Sequence, residues 1–218
     1  MTTTLKEDLE KKVSEGADLE GADLKGAHLK WAHLKWAHLK GADLEGADLE
    51  GAFLERAHLE GAFLERAHLE GAHLKWAHLE GAHLEGAHLE RADLEEAHLE
   101  GADLEWADLE GAFLGGAFLE WADLERAHLE GAFLGGAHLG GAHLEGAHLE
   151  GANLDYSSGF SFRCSSFGAI IDLKIGAQMA YHFCRMETDD PEVKAAQAEI
   201  APLANKFHRV NECGRINL

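Results

Sequence analysis

Residues 16–30 read GADLEGADLKGAHLK, three copies of a five-residue unit in which leucine follows alanine by two positions. Leucine recurs at every fifth position from Leu19 to Leu154, so the chain contains 28 consecutive units. A five-residue step rotates an α-helix by a net angle of about 140°, so these leucines would form no apolar stripe on a helix. Glycine at many unit junctions costs a helix roughly 1 kcal/mol per residue relative to alanine. The repeat therefore excludes a helical array.

The unit has instead the alternation of a short β-strand. Alanine and leucine lie two positions apart and the residues on either side of leucine are mostly polar, so both apolar side chains point inward. Each unit then forms one side of a coil, and stacked coils satisfy their backbone groups by pairing at about 4.8 Å. The sequence therefore predicts a β-solenoid.

The same residues resemble a known family. The run GADLEGADLKGAHLK and its successors, to about Tyr156, are similar to the bacterial pentapeptide-repeat proteins, whose unit is Ala-(Asp/Asn)-Leu-X-X. The resemblance implies an all-β solenoid, a right-handed, four-sided β-helix with four units per coil. The 28 units then form about seven coils, and residues 20 apart in sequence lie in one column, about 4.8 Å from each other.

The segment before the repeats is predicted to be an N-terminal helical cap, residues 1–15. Thr4 and Glu7 have the spacing of a capping box, and Gly16 is suited to end the helix. Such a cap is needed because the open strands at the end of a solenoid invite aggregation.

The segments after the repeats differ from the repeat block, residues 16–156. We expect residues 157–169 to form an irregular last coil and residues 170–218 to form a C-terminal helical segment, with Pro191 at the first position of a helix. This segment either plugs the solenoid or pairs two chains, so both a monomer and a dimer remain open.

Composition limits the classes of partner. The 40 acidic residues outnumber the 19 lysines and arginines and give a formal net charge of −21, which disfavours direct binding of nucleic acid. No run approaches the roughly 20 apolar residues of a membrane helix, so we expect no membrane partner. An odd number of cysteines (3) and a charged start without an apolar signal segment predict a cytoplasmic location.

Glutamate columns are the main outward feature. Glutamate follows leucine at every twentieth position from Glu45 to Glu145 and again from Glu50 to Glu150. These columns are interpreted as a solvated surface that prevents aggregation. The alternatives are mimicry of DNA charge and cation binding.

A second column is the candidate metal site. It consists of His38, His58, His78 and His98, with Glu60, Glu80 and Glu100 two residues after the last three histidines. Imidazole and carboxylate are ligands of zinc, nickel and copper. The alternative is a stack of solvated imidazoles, and no cofactor is predicted.

A third column is the candidate partner-binding surface. Trp36, Arg56 and Trp76 fall in one column, which suits cation–π stacking, and Phe113 and Phe133 extend the same side with apolar surface. The plain alternative is local stabilisation.

The sequence contains no nucleophile–base pair, phosphate-binding loop or paired carboxylates in a cleft, which predicts that the protein is not an enzyme. The preferred hypothesis is a structural or protein-interaction module with an acidic, histidine-rich surface and an unidentified protein partner. The family resemblance adds a second hypothesis, a DNA mimic that binds DNA gyrase or a related topoisomerase. The third is divalent-metal binding through the histidine and glutamate columns.

Overall fold

The computed structural model describes residues 4–158 and, in the C-terminal part, residues 176–177, 180–181, 184–185 and 191–206. The chain divides into two compact units, Met1–Ile170 and Ile171–Leu218. Most of the predicted irregular last coil, residues 159–169, lies outside the described residues. Within the described part, no helix is long and apolar enough to cross a membrane.

Helix α1 spans Leu5–Ser14 at the start of the first unit. The Thr4 hydroxyl accepts from the Glu7 backbone N–H, and the Glu7 carboxylate accepts from the Thr4 backbone N–H at 2.9 Å. These two bonds satisfy N–H groups that the first turn of a helix leaves open. Glu15 is the C-cap residue, and Gly16 follows it with a φ of 72°, which turns the chain into the repeats.

The repeats form a solenoid of single-residue parallel bridges. The residue between alanine and leucine in each unit pairs with the residue 20 positions later, from Asp18 with His38 to His138 with Ser158. At the bridge that involves Asp103, the N–H of the neighbouring Leu84 donates to the Asp103 carbonyl at 2.7 Å, and the pattern repeats along the array. A register of 20 residues places four units in each turn.

A β-turn joins successive sides. The Ala87 N–H donates to the Leu84 carbonyl at 2.9 Å, and the turn residue Gly86 has a φ of 63°. Positive φ at the third residue is the geometry of a type II turn, which favours glycine. Glycine occupies 17 of these corners, and a residue with a side chain occupies the other 11. Those 11 are Trp31, Trp36, Arg56, Arg66, Trp76, Arg91, Glu96, Trp106, Trp121, Arg126 and Tyr156.

Alanine and leucine fill the interior, as the alternation predicted. From Ala27 to Leu139, every alanine and leucine of the repeats has at most 7% of its surface exposed. The interior is therefore nearly the same in successive coils, and the differences between coils lie outside.

Side chains of α1 take the place of a preceding coil at the N-terminal edge. The Lys6 Nζ donates to the Lys30 carbonyl at 2.7 Å, and the Glu10 Oε1 accepts from the His33 N–H at 2.9 Å. In later coils the equivalent backbone groups pair with the backbone of the preceding coil. For example, the Phe53 N–H donates to a backbone carbonyl of the preceding coil at 2.9 Å. The first coil is thus protected from pairing with another chain.

The second unit contains helix α2, Pro191–Ala204. Tyr181, Cys184 and three alanines form its buried cluster, and the Cys184 thiol donates to the Gln197 carbonyl at 3.4 Å. Burial raises the pKa of the Cys184 thiol. This cysteine is therefore a packing residue rather than a reactive one.

Candidate functional site

The solenoid has four faces, each defined by its leucines. Face 1 begins at Leu19, face 2 at Leu24, face 3 at Leu29 and face 4 at Leu34, and each continues every 20 residues. Every unit presents three outward positions: the residue before leucine, the residue after it, and the corner residue that follows.

The corner of face 4 carries a stack of two indoles and a guanidinium. The Arg56 guanidinium lies 4.7 Å from the centre of the Trp36 ring and 4.8 Å from that of Trp76. The three residues have φ values of 63°, 59° and 58°, so each holds a side chain on a left-handed corner. Trp36 is 56% exposed and Trp76 37%. The structure therefore brings together the three residues that the sequence singled out.

Ion pairs flank this stack on the same face. The Lys35 Nζ lies 2.7 Å from the Glu55 Oε1 and 5.4 Å from the centre of the Phe53 ring. Lys75 donates to Glu95 in the next coil, and this hydrogen bond raises the pKa of the Lys75 ammonium. The alternation of sign keeps this part of the face close to neutral.

The apolar part of face 4 lies further along the array. Phe113 and Phe133 stack with ring centres 5.2 Å apart, and they are 42% and 48% exposed. The two positions that follow leucine in these units are glycines at 115, 116, 135 and 136, so no side chain rises beside the rings. The result is a flat apolar strip.

The four faces differ in charge. Between residues 18 and 158, face 4 carries three cations and five carboxylates, a net formal charge of −2 with histidine neutral. Face 1 carries six carboxylates and one lysine, face 2 ten carboxylates and three cations, and face 3 eight carboxylates and two cations. The charged residues of face 4 are Lys35, Glu55, Arg56, Lys75, Asp93, Glu95, Glu96 and Asp155. Face 4 is therefore the least acidic.

The predicted histidine column forms a continuous ring stack on face 1. Ring centres are 5.1 Å apart between His38 and His58, 5.0 Å between His58 and His78, and 4.9 Å between His78 and His98. The stack continues through Phe118, 4.8 Å from His98. Two nitrogens bound to one zinc ion are at most about 4.2 Å apart, because each Zn–N bond is about 2.0–2.1 Å. The stacked histidine rings alone therefore do not place two nitrogens close enough to bind one zinc ion.

Glutamate completes the clusters that are compact enough for an ion. Potential ligand atoms of His78, Glu80 and His98 all lie within 4.8 Å of one another. The Glu80 Oε1 is 3.3 Å from the His78 Nδ1 and 4.0 Å from the His98 Nδ1. Lys40 occupies the equivalent position beside His38, which places a cation where Glu60, Glu80 and Glu100 follow the next three histidines.

A cluster on face 3 was missed by the sequence reasoning. His128, Glu130 and His148 have the same arrangement, with potential ligand atoms within 4.8 Å of one another. The signal that finds it is His-x-Glu followed by a second histidine 20 residues after the first. Looking only for unbroken histidine columns overlooks it, because Asp108 interrupts the column of face 3.

Comparison with protein families matches the model described as "Pentapeptide repeats" in overlapping segments that together span residues 15–158. The chain belongs to the pentapeptide-repeat family. Its members fold as right-handed quadrilateral β-helices, in agreement with the 20-residue register of the bridges. Among curated proteins, none matches this pentapeptide-repeat protein.

Solved structures of other pentapeptide-repeat proteins are similar. HetL, involved in heterocyst differentiation regulation in the cyanobacterium Nostoc, is 33% identical over 72% of this chain and 79% of its own, with a TM-score of 0.42. A thylakoid-lumen protein of Arabidopsis thaliana is 34% identical over 44% of this chain and 64% of its own, with a TM-score of 0.30. QnrB1, a plasmid-mediated fluoroquinolone resistance protein, is 17% identical over 76% and 85%, with a TM-score of 0.33. The family model shows the pentapeptide-repeat family, but not the bacterial origin that the sequence resemblance implied.

Proposed function

We propose that this pentapeptide-repeat protein is a non-enzymatic interaction module, a rod of about seven coils that binds a protein partner through face 4. The observation that carries the proposal is the exposed stack of Trp36, Arg56 and Trp76 on the least acidic face. Alanine and leucine close the interior of the described coils, which favours action through the outer surface.

The energetics of the corner favour a role beyond stability. A left-handed conformation costs a residue with a side chain about 1–2 kcal/mol, and glycine avoids this cost at 17 other corners. Each exposed cation–π contact returns about 0.5–1 kcal/mol. The two contacts of Arg56 and the contact of Lys75 with Trp76, at 4.8 Å, therefore offset the strain of three corners only in part. Strain of this kind is a reason to look for function; because the face 2 corner of Trp106 and Arg126 shares it, the choice of face 4 rests on its lower charge.

The chemistry of face 4 suits a protein surface. Tryptophan, phenylalanine and arginine are enriched in protein interfaces and supply most of their binding energy. Trp36 and Trp76 offer indole surface, Arg56 offers donors for a carboxylate or carbonyl, and Phe113 and Phe133 offer an apolar strip. The partner we propose presents apolar side chains and at least one acidic group.

A photo-crosslinking experiment tests this proposal. A benzophenone amino acid is placed at Trp36 or, as a control on face 2, at Trp106, which is also an exposed corner residue. Both proteins are irradiated in extract of the source organism. We expect a discrete adduct from position 36 only, whereas adducts of equal yield from both positions would contradict a specific surface.

Mimicry of DNA, with DNA gyrase as the partner, is the second candidate. The observation that favours it is the set of carboxylate columns on faces 1 to 3, which carry most of the negative charge. Histidine and lysine side chains pair with several of these glutamates. A supercoiling assay with DNA gyrase decides the question, since no inhibition and no protection at micromolar protein would remove this candidate.

The oligomeric state depends on residues 170–218 in this proposal. The segment either covers the end of the solenoid or pairs two chains. Light scattering during size-exclusion chromatography distinguishes a monomer from a dimer, and deletion of residues 170–218 is expected to convert a dimer to a monomer.

A further inference from the structure

We infer that His128, Glu130 and His148 on face 3 form a binding site for a divalent transition-metal ion such as zinc. The Glu130 Oε1 lies 3.3 Å from the His128 Nδ1 and 3.5 Å from the His148 Nδ1. One carboxylate oxygen is therefore shared by imidazoles from two successive coils. This site is independent of the proposed partner surface on face 4.

The two distances match the geometry of a zinc ion. Zn–N bonds are about 2.0–2.1 Å and Zn–O bonds about 2.0–2.2 Å, so two ligands of a tetrahedral ion lie about 3.3–3.5 Å apart. The third pair, the two imidazole nitrogens, lies within 4.8 Å. The rings of His128 and His148 are tilted by 16° and their side chains are 44% and 34% exposed, so rotation about Cβ–Cγ can close this gap.

The charge around Glu130 favours a cation. Its Oε2 is buried and accepts no hydrogen bond from another protein group, a feature that it shares with Glu80 of the face 1 cluster and with other glutamates that follow leucine. Glu110 and Glu150 lie in the same column and add negative potential. In the described part of the chain, no lysine or arginine forms an ion pair with Glu130, in contrast to Glu50, which pairs with Lys30. A bound ion would supply the missing positive charge.

The ligand set selects the kind of ion. Two neutral imidazoles and one carboxylate suit zinc, nickel and copper, whereas magnesium and calcium prefer oxygen ligands alone. Each imidazole would bind through Nδ1 and keep its proton on Nε2. Three protein ligands leave at least one position of the ion for water or for a group of another molecule.

In the described part of the chain, a second cluster with two histidines has a similar arrangement but a less compact set of ligand atoms. In the cluster of His78, Glu80 and His98, the longer of the two distances to the carboxylate oxygen is 4.0 Å, against 3.5 Å on face 3. We therefore expect the face 3 cluster to bind first and that of face 1 to bind more weakly.

Zinc titration of the full chain by isothermal calorimetry tests the inference, with the variants Glu130→Gln and His148→Phe. Phenylalanine is accepted in a histidine column, because Phe118 stacks 4.8 Å from His98 and 5.0 Å from His138. The matched control is His73→Phe, since His73 also stacks on a ring, 4.9 Å away, but has Lys75 where the site has glutamate.

We expect each site variant to weaken the tightest class of zinc binding at least about ten-fold, because the loss of an outer-shell partner alone costs a metal site about 10–100-fold. The control is expected to stay within about two-fold of the parent protein. Circular dichroism checks that all variants keep the fold. Parent-like affinity in both site variants, or an equal loss in the control, would overturn the inference.

Discussion

Faces 2 and 4 lie on opposite sides of the same coils and share one interior. Leu84 of face 2 and Leu94 of face 4 are each 1% exposed, within the same ladder of backbone hydrogen bonds. Outside, both faces carry three cations and exposed aromatic rings, but face 2 carries ten carboxylates and face 4 only five. The repeat therefore determines the core and leaves each outward column free to vary. Outward differences between faces therefore report on function more than on folding.

The largest loss of stability is expected for substitutions of interior leucines. This loss should be the same on faces 2 and 4. Leu84→Ala and Leu94→Ala each remove a fully buried side chain from the same kind of site. We expect both to lower the free energy of unfolding by about 2–5 kcal/mol, measured by urea denaturation. A difference between the two variants as large as the effect itself would break the claim of a common interior.

Corner substitutions are expected to have a smaller effect on stability. Trp36 on face 4 and Trp106 on face 2 each lie against one arginine, at 4.7 and 5.0 Å, on a left-handed corner. Replacement by glycine removes about 0.5–1 kcal/mol of cation–π contact and relieves a strain of about 1–2 kcal/mol. We therefore expect both variants to remain within about 1 kcal/mol of the parent protein.

Urea denaturation of Trp36→Gly and Trp106→Gly measures this comparison. A large loss of stability for Trp36→Gly alone would indicate that the corner of face 4 is a structural feature. Equal, small effects would show that neither corner is needed for the stability of the fold.

The smallest expected effect on stability comes from two lysines that each follow a leucine and pair with a glutamate of the next coil. Lys25 of face 2 donates to Glu45, and Lys75 of face 4 donates to Glu95. Each hydrogen bond raises the lysine pKa above its ordinary value of 10.5. Because the pKa is raised on folding, the stabilisation is fully present below pH 10.5 and is lost as the pH rises through the higher value.

Titration of the lysine side chains by NMR checks this prediction. Glu45→Gln and Glu95→Gln are expected to lower the pKa of Lys25 and Lys75 respectively toward 10.5, since the charge of the acceptor is removed. Lys11, whose nearest carboxylate oxygen is 3.9 Å away on Glu15, serves as a reference in both variants. Unchanged values would contradict the pairing between coils.

Much of the fold was predictable because one spacing determines it. Leucine at every fifth position, with alanine two residues before, sufficed to place both side chains inside, and Thr4 with Glu7 predicted the capping box. The number of units per turn was not deducible from that spacing and came from the family resemblance. The bridge between Asp18 and His38 provides it directly.

For the candidate sites, the sequence predicted only which residues share a column. The stack of Trp36, Arg56 and Trp76 followed from their 20-residue spacing, but their left-handed φ values did not, because such side chains rarely adopt that conformation. The cluster of Glu130 depends on side-chain rotamers, which bring one carboxylate oxygen to histidines of two coils. The pattern of His-x-Glu with a second histidine 20 residues after the first locates this cluster, but it does not specify the rotamers of these side chains.

Partner capture by face 4 tests the central claim most directly. Immobilised parent protein, a double variant Trp36→Gly and Trp76→Gly, and the control Trp106→Gly are compared in extract of the source organism, with bound proteins quantified by mass spectrometry. We expect a defined protein that the parent and the Trp106→Gly control retain equally and that the double variant loses at least ten-fold, about 1.4 kcal/mol. Equal retention of every bound protein by all three would contradict it.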